Sequence, residues 1–204
     1  SRRILWKIAI NLLRKNATPQ DIDATKNEIN RLWDEGPENR REIGESWFED
    51  RRKGMATGIQ SFTGSQQIGL LPDGFDPDKK NIAIYASTIE EYAAIDFPKE
   101  SIYDPDETEG VRRIVAEFAD DPSYMFYLRV HPHMKGFHPR KNSQLREILQ
   151  MRDRHPNLKV ILPSEPVHTY ALIDACDSVV TFGSTVGVEA AYWGTPSILA
   201  GRAF

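Results

Sequence analysis

Apolar residues of the first part of the chain, residues 1–60, recur every three or four positions, which is the spacing of one helical face. This spacing predicts three helices, whose apolar positions are Ile4, Leu5, Ile8 and Leu12, then Ile22, Ile29, Leu32 and Trp33, then Ile43, Trp47 and Phe48. Thr18 and Pro19 are typical of a helix start, while Gly36 and Pro37 predict a helix end. We therefore expect a helical segment over residues 1–60, followed by a Gly- and Pro-containing linker loop over residues 61–80.

The pattern changes over residues 81–204, where short apolar runs alternate with amphipathic stretches. The runs predict strands over residues 81–87, 124–130, 158–162, 178–182 and 196–200. Helices are predicted between them, around residues 111–118, 145–149, 167–175 and 185–193. Alternating strands and helices with short connections indicate βαβ units and a parallel sheet. The predicted fold is therefore α/β, a Rossmann-like parallel sheet with flanking helices preceded by the helical segment.

Composition narrows the class of protein. The 204 residues carry 26 Lys and Arg against 30 Asp and Glu, a net charge of −4, which argues against nucleic acid as a partner. No apolar run approaches the roughly 18 residues of a membrane span. A single cysteine, Cys176, excludes an internal disulfide and fits a cytoplasmic location. The chain opens with Ser1 and ends shortly after the last predicted strand, so we expect the domain to be truncated.

The strongest candidate site follows the fourth predicted strand. Gly183 permits a tight turn, and Ser184 and Thr185 can cap the next helix while their hydroxyls contact a phosphate. Glu189 lies one turn further on the same helical face, where its carboxylate suits the hydroxyls of a ribose or sugar. The alternative is an ordinary helix cap with a solvated glutamate.

A second candidate follows the second predicted strand. Arg129 precedes His131, and Pro132 ends the strand and fixes the backbone, so that His131 points from the strand end into the cleft. A histidine there can donate to a phosphate or protonate a leaving phosphate oxygen. The alternative is a surface turn. The loop that follows is basic, with His133, Lys135, His138, Arg140 and Lys141. Because no cysteine or nearby carboxylate joins the histidines, we expect no metal site.

Two further strand ends carry polar residues. Ser87, Thr88 and Glu90 follow the first strand and are candidates for substrate contact, although capping of the next helix explains them equally well. Residues 163–170 follow the third strand and allow base or ribose contacts. Ligands of open α/β sheets bind beyond the carboxyl ends of the strands, which is why these positions are candidates.

Three stretches together resemble a known family: residues 177–196, the His-Pro element at 127–132 and the strand and turn at 82–92. They are similar to capsule polysaccharide biosynthesis proteins, which resemble glycosyltransferases of the GT-B fold. The His-Pro element resembles that of bacterial enzymes using CMP-activated sugars, among them sialyltransferases and transferases of 3-deoxy-manno-octulosonate. The resemblance implies that His131 contacts the donor phosphate and aids its departure. It implies that Ser184 and Thr185 bind that phosphate and that Glu189 contacts donor hydroxyls, without a metal or other cofactor.

The expected function is transfer of a sugar from a CMP- or other nucleotide-sugar to a saccharide or glycolipid acceptor. The expected location is the cytoplasm, with peripheral association at the inner membrane face through an assembly complex. Residues 1–60 lack a βαβ pattern, and the general base of the reaction stays unassigned. Two alternatives remain open: a non-hydrolysing nucleotide-sugar epimerase, and a non-catalytic nucleotide-binding or assembly module. The acceptor, the linkage and the oligomeric state also remain open.

Overall fold

The structure, a computed structural model, describes residues 22–55, 62–87, 103 and 106–201. The chain divides into two compact units, Ser1–Gly64 and Ser65–Ala203. The helix predicted around Ile4 and Leu12 lies outside the described residues. In the part of the chain that is described, no helix is long and apolar enough to span a membrane.

The first unit contains two of the predicted helices, α1 (Ile22–Asp34) and α2 (Arg40–Arg52). Helix α1 ends before Gly36, where a side chain would meet the carbonyl oxygen of Leu32 at 3.0 Å. The Arg40 guanidinium then lies over the Trp33 ring, 5.1 Å from its centroid. This cation–π contact joins the start of α2 to the end of α1.

The second unit is a five-stranded sheet in the order β3-β2-β1-β4-β5, with every neighbouring pair parallel. The strands are β1 (Lys80–Tyr85), β2 (Tyr124–Arg129), β3 (Leu158–Ile161), β4 (Ser178–Thr181) and β5 (Ser197–Leu199). The helices are α3 (Glu107–Glu117), α4 (Ser143–Arg154), α5 (Thr169–Ala175) and α6 (Val186–Tyr192). The predicted α/β fold with a parallel sheet and a helical lead-in is confirmed.

Both faces of the sheet are buried, as helical coverage of a parallel sheet requires. On one face Ile84 and Leu128 pack with residues of α3 and α4. On the other face Tyr127 and Val179 pack with residues of α5 and α6. Alternation along each strand sends successive side chains to opposite faces, so the helices of the two layers are held by different residues of the same strands.

The segment before β1, expected as a linker loop, is bonded into the second unit. The Gln66 side-chain oxygen accepts a hydrogen bond from the Thr169 amide at 2.7 Å. The His168 amide donates to the Leu70 carbonyl at 2.8 Å, and the Phe75 ring stacks on Tyr127 with centroids 5.2 Å apart. The first two contacts fix the start of α5 against a segment about a hundred residues earlier, and the third packs that segment on β2.

The strand order places the topological switch at β1 and β4. From β1 the chain proceeds to β2 and β3 on one side, and it then crosses to β4 and β5 on the other side. Connections therefore leave the carboxyl ends of β1 and β4 toward opposite faces of the sheet. In open α/β sheets, this switch point at the carboxyl ends of the strands is where ligands bind.

The single cysteine generates a first prediction. Cys176 is buried next to the start of β4, and burial raises the pKa of its thiol to about 12. Because the thiolate is the reactive form, Cys176 should react with Ellman's reagent at pH 8 far more slowly in the native protein than in guanidinium chloride. Both rates are measured from the absorbance of the coloured thiolate that the reagent releases. Equal rates would contradict the burial described for this residue.

Candidate functional site

The turn between β4 and α6 is shaped by two glycines. Gly183 has a φ of 116°, in the region where a side chain is strained. Gly187 lets α6 approach β4 closely, since a side chain there would meet the Thr181 hydroxyl at 2.9 Å. The Ser184 hydroxyl accepts a hydrogen bond from the Val186 amide at 3.3 Å. Ser184 is thereby placed at the carboxyl end of β4, as the sequence predicted from spacing.

Glu189 is buried beneath this turn, with 1% of its surface exposed. The Tyr170 hydroxyl donates to Oε2 of Glu189, and the Thr185 hydroxyl donates to Oε1 at 3.3 Å. Thr185 forms no side-chain cap for α6, because its hydroxyl is directed to Glu189. Both carboxylate oxygens thus have protein partners, and contact of Glu189 with a donor hydroxyl stays a prediction.

Tyr170 is the site residue that sequence reasoning missed. It lies in the first turn of α5 with 1% of its surface exposed; the sequence indicated it only as the last of residues 163–170, the candidates for base or ribose contacts, and not as a partner of Glu189. Its partner Glu189 is 19 positions away. The one signal in the sequence is a tyrosine in a stretch predicted to be helical. If such a tyrosine is buried, its hydroxyl usually has a hydrogen-bond partner.

At the end of β2, Arg129 is 5% exposed and donates through Nη1 to the Val167 carbonyl at 2.8 Å. Burial lowers the pKa of its guanidinium. The Tyr85 hydroxyl donates to the Thr169 carbonyl at 3.1 Å. Arg129 therefore ties β2 to the segment that leads into α5, and its predicted contact with substrate stays a prediction.

His131 follows β2 and precedes a short 3₁₀ helix, Pro132–Met134. The His131 ring accepts a hydrogen bond at Nδ1 from the His133 amide, at 3.2 Å. In the neutral imidazole, acceptance at Nδ1 leaves the proton on Nε2, so Nε2 is the donor atom. Met134 is buried in the core and anchors the turn. His131 thus stands at the strand end with a defined donor.

The end of β1 contributes Ser87, which is buried. Its carbonyl oxygen accepts a hydrogen bond from the side-chain amide of Gln144 at 3.1 Å, which joins β1 to the first turn of α4. Thr88 and Glu90, the other candidates at this strand end, lie outside the described residues. Gln144 was not indicated by the sequence, since a polar residue in the first turn of a helix is usually exposed.

The register of the sheet brings these strand ends to one level. Tyr85 of β1 pairs with Arg129 of β2 and with Thr181 of β4. Two residues further along each strand are Ser87, His131 and Gly183. Neighbouring strands are about 4.8 Å apart, so the ends of β2 and β4 lie roughly 10 Å apart with β1 between them. That distance suits a ligand the size of a phosphate with its attached groups.

The chemistry available at this edge is that of hydrogen-bond donation to an anion. It comprises the Ser184 hydroxyl and the Nε2 donor of His131, while the amides of Val186, Gly187 and Val188 donate to Ser184 and Thr185. Over the ranges that the structure describes, no group of three or more His, Cys, Asp or Glu residues is arranged to hold a metal ion.

Comparison with known families decides the family of the chain. Residues 78–204 match the model for capsule polysaccharide biosynthesis proteins. The chain belongs to this family. The match spans β1 to β5, and therefore includes all three strand ends described above.

One solved structure similar to this capsule polysaccharide biosynthesis protein is Thermosulfurimonas dismutans KpsC, described as a beta Kdo 2,4 transferase. The two are 19% identical with a TM-score of 0.49, and the match covers 83% of this chain and 50% of KpsC. The chain thus spans about half the length of that protein. No match was found among curated proteins.

The buried carboxylate generates a second prediction. Glu189→Ala should lower the free energy of unfolding by about 1–3 kcal/mol, because it leaves the buried Tyr170 hydroxyl without its acceptor. Glu189→Gln should lose less, since the amide oxygen still accepts that hydrogen bond. Urea unfolding followed by circular dichroism measures both variants. Val188→Ala is the control, as Val188 is 65% exposed on the same helix. A Glu189→Ala protein as stable as this control would contradict the contact.

Proposed function

We propose that this chain is the donor-binding portion of a glycosyltransferase that acts in the synthesis of capsule or another cell-surface polysaccharide. The observation that carries the proposal is the strand order. It places the Gly183–Ser184–Thr185 turn beside the end of β1, at the switch point where α/β sheets bind nucleotides. Membership of the capsule polysaccharide biosynthesis family supports this function.

In the proposed reaction the bond between the anomeric carbon and the phosphate oxygen of a nucleotide-sugar breaks. A new bond forms between that carbon and the acceptor hydroxyl oxygen, and the hydroxyl proton leaves to a general base that stays unassigned. Negative charge develops on the leaving phosphate. Donors already fixed in place stabilise such charge at little reorganisation cost, which is the role we propose for Ser184 and His131.

The hydrogen bond at Nδ1 of His131 supports this role. In the neutral imidazole, acceptance at Nδ1 keeps the donor proton on Nε2. As a general acid, His131 would start as the imidazolium, with both ring nitrogens protonated, and transfer of the Nε2 proton to the departing phosphate oxygen would leave the neutral ring whose Nδ1 accepts from the His133 amide. This scheme needs no metal ion, because the imidazole and the amides of α6 provide the positive field.

The resemblance of the His-Pro element favours a CMP-sugar as donor, while UDP- and GDP-sugars are the alternatives. Glu189 supports the site from below: it holds the Thr185 hydroxyl and is itself held by Tyr170. The proposal includes a saccharide or glycolipid acceptor, a cytoplasmic location beside the nucleotide-sugar pool, and peripheral contact with the inner membrane through an assembly complex.

Nucleotide affinity tests the phosphate site. His131→Ala and Ser184→Ala should each weaken CMP binding, measured calorimetrically, by about 1–3 kcal/mol, the scale of a hydrogen bond to a charged group. His155→Ala and Ser178→Ala are the matched controls. They also remove an imidazole and a hydroxyl, but near the amino ends of the strands, away from the proposed site. UDP and GDP are titrated in parallel. Unchanged affinity of both site variants for whichever nucleotide binds would remove the assignment.

Product analysis separates the reaction classes. Incubation with the preferred nucleotide-sugar and a mixture of saccharide acceptors should release the free nucleotide together with a lengthened saccharide. Incubation without an acceptor is the control. An epimerised nucleotide-sugar in that control would replace the transferase proposal with the epimerase alternative.

A further inference from the structure

Residues 65–70, upstream of β1, are bonded to the segment that leads into α5. We call residues 65–70 the strap, and all of it belongs to the second unit. The Gln67 amide donates to the Pro166 carbonyl at 2.8 Å. The His168 amide donates to the Leu70 carbonyl, also at 2.8 Å. The position of the first turn of α5 therefore depends on the strap as well as on the sheet.

The Gln66 side chain adds a third bond, which reaches the helix itself. Its Oε1 atom accepts a hydrogen bond from the Thr169 amide at 2.7 Å. The first amides of a helix have no acceptor within the helix, so Gln66 satisfies a group that α5 cannot satisfy. The Thr169 carbonyl is held by Tyr85, whose hydroxyl donates to it at 3.1 Å. Gln66 and the sheet thus fix the first turn of α5 together.

The next residue of α5 carries this position across to α6. Tyr170 follows Thr169, and its hydroxyl donates to Oε2 of Glu189. Thr169, Tyr170 and Glu189 are all buried. Little water reaches a network buried to this degree, so a lost partner is not replaced by solvent. A shift of Thr169 is therefore taken up by the groups bonded beyond it.

The network ends at the turn that carries the proposed phosphate site. Oε1 of Glu189 accepts from the Thr185 hydroxyl at 3.3 Å, which holds the residue next to Ser184. The Ser184 hydroxyl accepts from the Val186 amide at 3.3 Å, so its own proton is available to a ligand. The orientation of that donor is therefore tied, contact by contact, to Gln66.

We propose that Gln66 is a positioning residue of the donor site: without touching the ligand, it sets the turn after β4 through the Tyr170–Glu189 pair. Its role in nucleotide binding rests on the proposed function. The coupling between the strap and this turn does not, and it is measured in the free protein. Coupling of this kind is demonstrated when a change at one end alters the other end, and a double-variant cycle isolates the part that the two residues share.

The variants differ in one acceptor atom. Gln66→Met and Gln66→Asn are the loss variants: the first has no oxygen for the Thr169 amide, and the oxygen of the second is one methylene too short to reach it. Gln66→Glu keeps an acceptor at the same reach and is the rescue variant. Gln67→Met is the matched control, because the Gln67 side chain is exposed and its bond is made by the main chain. Circular dichroism checks that each variant is folded.

Hydrogen–deuterium exchange of the free protein, followed by nuclear magnetic resonance, measures the coupling. The amides of Gly187 and Glu189 report on the turn, because they donate to carbonyl oxygens within it. They should exchange at least about threefold faster in the loss variants and in Tyr170→Phe than in the wild type. The rescue and control variants should exchange at the wild-type rate. The amides of β2 should be unchanged in every variant, which separates a local effect from a general loss of stability.

Calorimetric titration with CMP, UDP and GDP tests the role in binding. The loss variants should bind the preferred nucleotide roughly threefold to tenfold more weakly, and Gln66→Glu should restore the affinity to within about twofold of the wild type. In a Tyr170→Phe background, Gln66→Met should weaken binding by less than about twofold, because the contact through which Gln66 acts is already missing.

Four results would overturn the inference. They are wild-type exchange at the turn in the loss variants, equal losses in Gln66→Met and Gln66→Glu, additive losses in the double variant, and exchange that rises in β2 as much as at the turn. The last result would mean that Gln66 contributes to stability alone. A wild type that binds no nucleotide, with faster exchange at the turn in the loss variants, would overturn the proposed function and leave the coupling in place.

Discussion

The pairing of β1 with β2 on one side and β4 on the other is the constraint on which the rest of the site depends. Because these pairings are parallel and in register, the carboxyl ends of three strands finish at one level. Among the described connections, the change of face comes between β3 and β4, so α3 and α4 cover one face and α5 and α6 the other. The switch point between β1 and β4, where open α/β sheets bind ligands, follows from this arrangement.

Buried polar contacts hold the helices that lie next to this switch point. Tyr85, Arg129 and Tyr170 all lie on the face covered by α5 and α6, and each donates a hydrogen bond to a group on or next to those helices. Buried polar groups are costly when unpaired, so a network of this kind favours a single arrangement of the helices. The turn at Gly183 and Ser184 is therefore supported from below, which is the condition for donors that are placed before a ligand arrives.

Much of the fold was predictable because its signals are local. Apolar runs marked all five strands, and Gly183 marked the turn after β4. Features set by distant contacts were not predictable. A helix was expected from Val167, but α5 begins at Thr169, because His168 is extended, caps the helix and is bonded to Leu70. The pairing of Tyr170 with Glu189 has no local signature either. Sequence therefore indicated which strand ends carry the candidate site, while the partners that fix those residues required the structure.

The most direct test of the central claim is hydrogen–deuterium exchange with and without CMP, UDP or GDP. The account predicts that one of these nucleotides slows exchange at two places in the second unit, the amides of Ser184 to Val186 and the amide of His133, whose bond to His131 a bound phosphate would stabilise. Exchange at the amino ends of the strands should be unchanged. The proposed donor site is wrong if no nucleotide slows exchange at either place. It is also wrong if a nucleotide slows exchange only at the amino ends of the strands.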